Sequence, residues 1–167
     1  MIQKIKKLKS GFVILFAVTL SALLLSIAIG VTNIAFKELR FGTNARDTND
    51  AFFAADTGIE CALIYDKSTT GLFVHNPPIS SSFSITCNNR PITVTENSTS
   101  YWTFHVPGLG STTQSCAIVT VDKTDPGDST TVPVFVITSK GYNTGSQNNN
   151  FCNPPTNAVE RQLEVRY

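Results

Sequence analysis

From Ser10 through Phe36 the chain carries no charge for twenty-seven residues, and nothing else in it constrains the fold so strongly. A helix rises about 1.5 Å per residue, so roughly 20 residues already cross the ~30 Å hydrocarbon core of a bilayer. Lys4, Lys6, Lys7 and Lys9 precede the run, with no acid among them. Basic residues before it and mixed charge after it predict an N-terminus in the cytoplasm and the remainder outside. An ordinary secretory signal has an apolar centre of about 7–15 residues and a small-x-small cleavage site. This run is too long for that. Gly11 stands alone between the lysines and the apolar residues. It can open a membrane helix, belong to a disposable signal, or be a processing site whose product keeps the run.

The helical pattern continues past the apolar run. "KELRFGTNARDTNDAFFAADTGIECALIYDK" contains no proline. Leu39, Ala51, Phe52, Ala55, Ile59, Ala62 and Leu63 recur at three- and four-residue steps, as on one face of an amphipathic helix. The spacing predicts one long helix from about Phe12 to about Tyr65. Its first half, 12–36, is apolar all round; its second half, 37–66, is apolar on one side. Val18, Ala22, Ser26 and Gly30 fall four residues apart, a line along which helices can approach closely in lipid. Small residues are also common in membrane helices generally. Gly30, Thr32 and Asn33 form a stretch of weak helix formers.

The formal net charge of +1 hides an asymmetry. Beyond Gly11, nine basic residues face twelve acidic ones, a net charge of −3. A nucleic-acid partner needs a basic face on the folded part, and none is offered. Cys61, Cys87, Cys116 and Cys152 all follow the apolar run, with 25, 28 and 35 residues between them. That spacing lacks the close cysteine pairs of a zinc site. An even number beyond a membrane segment predicts two disulfides in an oxidising compartment, four buried thiols being the alternative. Of three connectivities, Cys61–Cys87 (helix to first strand) and Cys116–Cys152 (strand to loop) are preferred.

After Lys67 the composition turns to Ser, Thr, Asn, Pro and Gly with short β-prone runs. "FSITC" places Phe83, Ile85 and Cys87 on one side, and "YWTFHV" sets Trp102, Phe104 and Val106 against Tyr101, Thr103 and His105. "CAIVTVDK" and "VPVFVIT" follow. In "AVERQLEVRY", Val159, Leu163, Val165 and Tyr167 oppose Glu160, Gln162, Glu164 and Arg166. Period-2 alternation between turn residues predicts an antiparallel sheet with one wet face. Its natural cover is the amphipathic half of the helix, so the expected class is α+β, a long N-terminal helix on an antiparallel sheet, with 67–167 as the β-rich extracytoplasmic domain. The stretch 142–157 is a polar loop that Cys152 ties down.

Few residues suggest chemistry. His75 and His105 have no nucleophile motif near them and read as exposed or structural. No phosphate loop or HExxH occurs. No cofactor is expected, and the chain does not read as an enzyme. Asp122, Asp125 and Asp128 surround a Pro-Gly turn in "DKTDPGDS"; oxygen ligands in a loop suit Ca²⁺, yet the spacing is not that of an EF-hand and a solvated hairpin turn is the plainer reading. Asn97-Ser98-Thr99 formally matches a glycosylation sequon.

A short basic leader, 1–11, ending in Gly11, then Phe12 and a long apolar helix that becomes amphipathic, resembles a prepilin of the type IV pilin and type II secretion pseudopilin superfamily. "AFFAADTGIECAL" is similar to the helical stretch of atypical minor pilins. The likeness covers residues 1 to about 66; beyond them it rests on architecture, and the cysteine-bounded loop resembles the variable surface region of pilins. The resemblance implies that a prepilin peptidase cuts after Gly11 and that the new N-terminus, Phe12, is methylated. It implies assembly through Val18, Ala22, Ser26 and Gly30 with other pilin or pseudopilin subunits, from a single-pass state in the cytoplasmic membrane into an extracellular filament. Some pseudopilins bind Ca²⁺, so the resemblance makes Asp122, Asp125 and Asp128 candidate ligands. One position departs from the family: Phe16 stands where a glutamate usually pairs with a neighbour's N-terminal amine. A carboxylate in an apolar bundle is costly unless paired, so its absence removes both a cost and a register device. Subunits of the family that lack it include the pseudopilin at the filament tip, so the resemblance implies a minor or initiating subunit. The alternative is a stationary single-pass protein with a ligand-binding or adhesive ectodomain.

Overall fold

The computed structural model describes residues 11–68, 71–73, 82–124, 134–145 and 151–167. The chain forms two compact units, Met1–Asn44 and Ala45–Tyr167. One helix, α1 (Gly11–Lys67), contributes to both. Its 57 residues contain no proline and continue through Gly30, Thr32 and Asn33 without a break. It ends where Ser68 Oγ donates to the Tyr65 carbonyl at 3.0 Å and the Leu72 amide donates to the same oxygen at 3.2 Å, satisfying an acceptor that the last turn leaves open.

In the second unit the helix meets six antiparallel strands arranged in chain order, a simple meander. These are β1 (Phe83–Cys87), β2 (Arg90–Ser98), β3 (Tyr101–Leu109), β4 (Ser115–Asp122), β5 (Val136–Tyr142) and β6 (Glu160–Arg166). The alternation expected in "YWTFHV" holds, with Trp102, Phe104 and Val106 buried and their neighbours half-buried. They join Val119, Val121, Ile137, Ile85, Val94 and Ile59 in the main core. Phe73 packs edge-on to Trp102 and Phe83, with centroids 5.5 Å away in each case.

The helix face differs from the expected one. Ala51, Ala54, Ala55, Gly58, Ile59, Cys61 and Ala62 are buried, while Phe52 points outward and Leu39 is exposed. The reason is distance. A Cβ on Gly141 in β5 would overlap the backbone of Ala51 and Ala55. A Cβ on Gly58 would overlap Ser139 Oγ and come within 2.7 Å of Val119 Cγ2. A helix seated this close has room only for small side chains on the contact face, so the phenylalanines lie outside it.

Strand β2 is not among the runs singled out in the sequence, and it carries Pro91, a residue that sheets accept only at edges, strand starts or bulges. Its register explains the tolerance. Asn88 and Asn89, both at positive φ (50° and 58°), form a two-residue hairpin turn of the primed kind. Cys87↔Arg90 is then a hydrogen-bonded pair and Thr86↔Pro91 a non-hydrogen-bonded one. Pairing of β2 with β3 begins only at Thr95, so Pro91 deletes no ladder bond. Tyr65 from α1 completes the edge: its hydroxyl accepts from the Thr86 amide at 2.9 Å and donates to the Thr86 carbonyl at 3.0 Å. That closes a site where the edge of β1 would otherwise offer free backbone groups.

Cys61 and Cys87 join helix to β1 with Cα atoms 6.0 Å apart, and Cys116 and Cys152 join β4 to the loop between β5 and β6 at 5.5 Å. These are the preferred pairings. The close helix–sheet seat makes two opposite predictions. Gly141→Ala forces the helix backbone away and should cost about 2–3 kcal/mol. Ser139 Oγ is fully buried and finds no hydrogen-bond partner among the described residues, so Ser139→Ala should stabilise by about 1 kcal/mol. Denaturation of the full chain in micelles, followed by fluorescence of Trp102, the only tryptophan, reads both. A neutral Gly141→Ala would contradict the close seat.

Candidate assembly helix and the loop on the outer sheet face

In the first unit every described side chain of α1 from Phe12 on is exposed, including Phe12, Phe16, Val18, Ala22 and Ser26. The most apolar window has a mean hydropathy of 2.8, so this is one helix near the N-terminus long and apolar enough to cross a membrane. The hydroxyl groups inside the run are handled locally. Thr19 donates to the Phe16 carbonyl at 2.9 Å, and Ser21 to Ala17, Ser26 to Leu23 and Thr32 to Ala28, each at 2.8 Å. All four hydroxyls between Phe12 and Phe36 are therefore satisfied by the helix's own backbone. In water that habit is mildly unfavourable; in hydrocarbon it removes the need for any outside partner.

Val18, Ala22, Ser26 and Gly30 lie one turn apart, each step drifting about 40° round an ideal helix. Nothing lies within 4 Å of a Cβ built on Gly30, so this line is open. Phe16 is exposed among other apolar residues of the same turn, and Gly11 begins the helix. Of residues 1–11, expected from the sequence to be a leader, 1–10 lie outside the described residues.

The sheet has a second face, turned away from the helix, where Cys116, Tyr142 and Cys152 make a small cluster with Ile118 and Ala158. The loop that leaves β5 is pinned at its base. The Asn143 amide donates to the Val159 carbonyl at 3.2 Å, the Val159 amide to Asn143 Oδ1 at 2.8 Å, and the Gly145 amide to the Gln114 carbonyl at 2.8 Å. Burial, reinforced by the Glu160 carboxylate, pushes the Tyr142 hydroxyl up to about 12. His105, expected from the sequence to be exposed or structural, is a loop anchor. Its Nδ1 lies 3.3 Å from both the amide nitrogen and the carbonyl oxygen of Cys152, and its ring meets Phe151 edge-on at 5.2 Å. Burial lowers its pKa below the usual histidine value, and the Cys152 contact opposes that in part.

A second unforeseen group ties the end of α1 to the sheet. Asp66 pairs with Lys123 through one carboxylate oxygen and accepts from the Tyr167 hydroxyl through the other. The side chains of Asp66 and Lys123 are 3% and 10% exposed. Burial, then Asp66, raises the Tyr167 hydroxyl far above its ordinary value, so it stays a donor. These residues lie 57 and 101 positions apart in the chain, and no local pattern links them. Of the three aspartates considered for Ca²⁺, Asp122 uses Oδ1 to accept from the Thr124 amide (2.9 Å) and hydroxyl (2.6 Å); Asp125, Asp128 and His75 lie outside the described residues. Among the described residues no three histidine, cysteine or acidic side chains gather as a metal-binding group. Asn97 of the sequon donates to Thr103 Oγ1 at 2.8 Å.

The histidine contact carries a pH dependence. Because the folded-state pKa of His105 lies below its unfolded value, the stability it supports is full above about pH 6.5 and is lost as pH falls through the lower folded value. Hydrogen exchange at Phe151–Cys152, corrected for intrinsic rates, should show less protection at pH 5 than at pH 7.5, and His105→Gln should flatten the difference. Equal protection at both pH values in the unaltered chain would contradict this. Compared with family models, curated proteins and solved structures, the chain matches none.

Proposed function

We propose that this chain is a structural, pilin-like subunit: it is held in the membrane by residues 12–36, processed after Gly11 by a prepilin peptidase, and assembled through the apolar helix into a type IV pilus or secretion pseudopilus. The observation that carries this reading is the helix itself. Twenty-five residues from Phe12 to Phe36 expose apolar side chains all round and satisfy their own hydroxyls, while the same helix further on is clamped to a disulfide-stapled sheet. Such a segment is stable in lipid and equally so among like helices, and transfer between the two requires no active site. The sheet then faces solvent, and the loop held by Cys116–Cys152 forms part of the surface a filament presents.

Phe16 supports a minor or initiating position. Without a carboxylate there, the subunit offers no acceptor to the amine of the one adjoining it, and works best where one such contact is dispensable. Expression with a matching peptidase and motor, followed by electron microscopy, tests the function. Fibres containing this subunit are expected when a second, acid-bearing pilin is present, and none from this chain alone. Long homopolymers would overturn the minor role. Membrane-bound chain that never enters a fibre in either case would favour the stationary single-pass protein.

A further inference from the structure

At the far end of the apolar run the helix changes character within two turns. Asn33, Phe36, Lys37 and Arg40 line an open concavity of about 470 Å³. On an ideal helix their positions fall within about 100° of one another, while Glu38 lies about 150° round from their centre. The acid nearest in sequence therefore does not neutralise the two cations. Neither Lys37 nor Arg40 has an ion-pair partner among the described residues, whereas Arg46, six residues on, is paired with Asp50 at 3.8 Å. The group thus presents two unpaired positive charges and a side-chain amide, with the Phe36 ring on the same side.

Depth supplies the second, independent argument. From Phe12 to Asn33 is twenty-one steps, about 32 Å of helix rise, against a hydrocarbon core of roughly 30 Å. With Phe12 at the inner boundary, Asn33 reaches the outer one, and Lys37 and Arg40 stand about 6–11 Å beyond Asn33, where lipid phosphates lie. A guanidinium suits phosphate oxygens through paired N–H donors, and an ammonium adds a point charge. Aromatic rings favour this same level.

We propose that Asn33, Phe36, Lys37 and Arg40 form a binding site for the headgroup of an anionic phospholipid in the outer leaflet of the membrane. The site rests on the reading that residues 12–36 span the bilayer, and it deepens that reading by naming a ligand. A headgroup held there fixes the depth at which the subunit waits, and its release is a step in drawing the subunit out. Zwitterionic lipid, whose phosphate carries its own cation, is bound less well.

The test uses the full chain in nanodiscs of three parts phosphatidylcholine to one part phosphatidylglycerol, released into a native mass spectrometer that counts retained lipids. The leader lysines are common to all variants, so the reading is the difference between variants. The unaltered chain should retain phosphatidylglycerol in preference, and Lys37→Gln with Arg40→Gln should lower that preference about 25-fold, roughly fivefold for each charge. Arg46→Gln should leave it unchanged. A chain that enters the nanodisc and shows equal retention in the unaltered and doubly altered forms overturns the headgroup site alone. Displacement of the lipid by inorganic phosphate overturns it in favour of a free-anion site. A chain that does not enter the nanodisc overturns the membrane-spanning reading, and the site with it.

Discussion

An apolar surface with no cover inside the chain must find one outside it. From Phe12 to Phe36 the helix turns an uncharged side chain in every direction, and all those described are exposed. At roughly 25 cal/mol for each Å² of apolar surface, leaving such a segment in water is a penalty no domain of this size could offset. Under the proposed function, lipid and a bundle of like helices are those covers. The backbone bonds made by Thr19, Ser21, Ser26 and Thr32 mean that these four hydroxyls need no water under either cover.

The rest of the molecule answers a different demand: the helix must also be held firmly at its other end. That is achieved by closeness rather than bulk. Ala51, Ala55 and Gly58 meet Gly141, Ser139 and Val119 with no space for an added methyl group. The Cys61–Cys87 bond, the Tyr65 hydroxyl on the Thr86 backbone, and the Asp66–Lys123–Tyr167 group then fix the last two turns. A buried ion pair is weak evidence for net stability, but breaking one side of it is costly, so it acts as a specific seat for the helix end. Force applied along α1 would meet a covalent link and a polar one in the same region.

What could be read from the sequence followed locality. The helix over 11–67 and the strands at 83–87, 101–109, 115–122 and 160–166 show in short-range periodicity and in the absence or presence of turn residues. The last three residues of "VPVFVIT" open strand β5, which starts at Val136; the run begins earlier, and its residues 132–133 lie outside the described set. Strand β2 is not among the runs singled out in the sequence, and the place of Pro91 in it depends on register with two other strands. The contact face of the helix was misjudged at Phe52 because a hydrophobicity pattern rewards large residues, whereas this interface selects small ones. His105 with Cys152, and Asp66 with Lys123 and Tyr167, join residues 47 to 101 positions apart, and only the assembled sheet brings them together.

The central claim of the proposed function is that the apolar run survives processing and begins at Phe12. N-terminal mass spectrometry of the native protein tests this most directly. The account predicts a mature chain starting at a methylated Phe12, with Gly11→Leu leaving the precursor intact. A native chain that keeps Met1, or one cut beyond Ile29 so that the apolar run is lost, would contradict it.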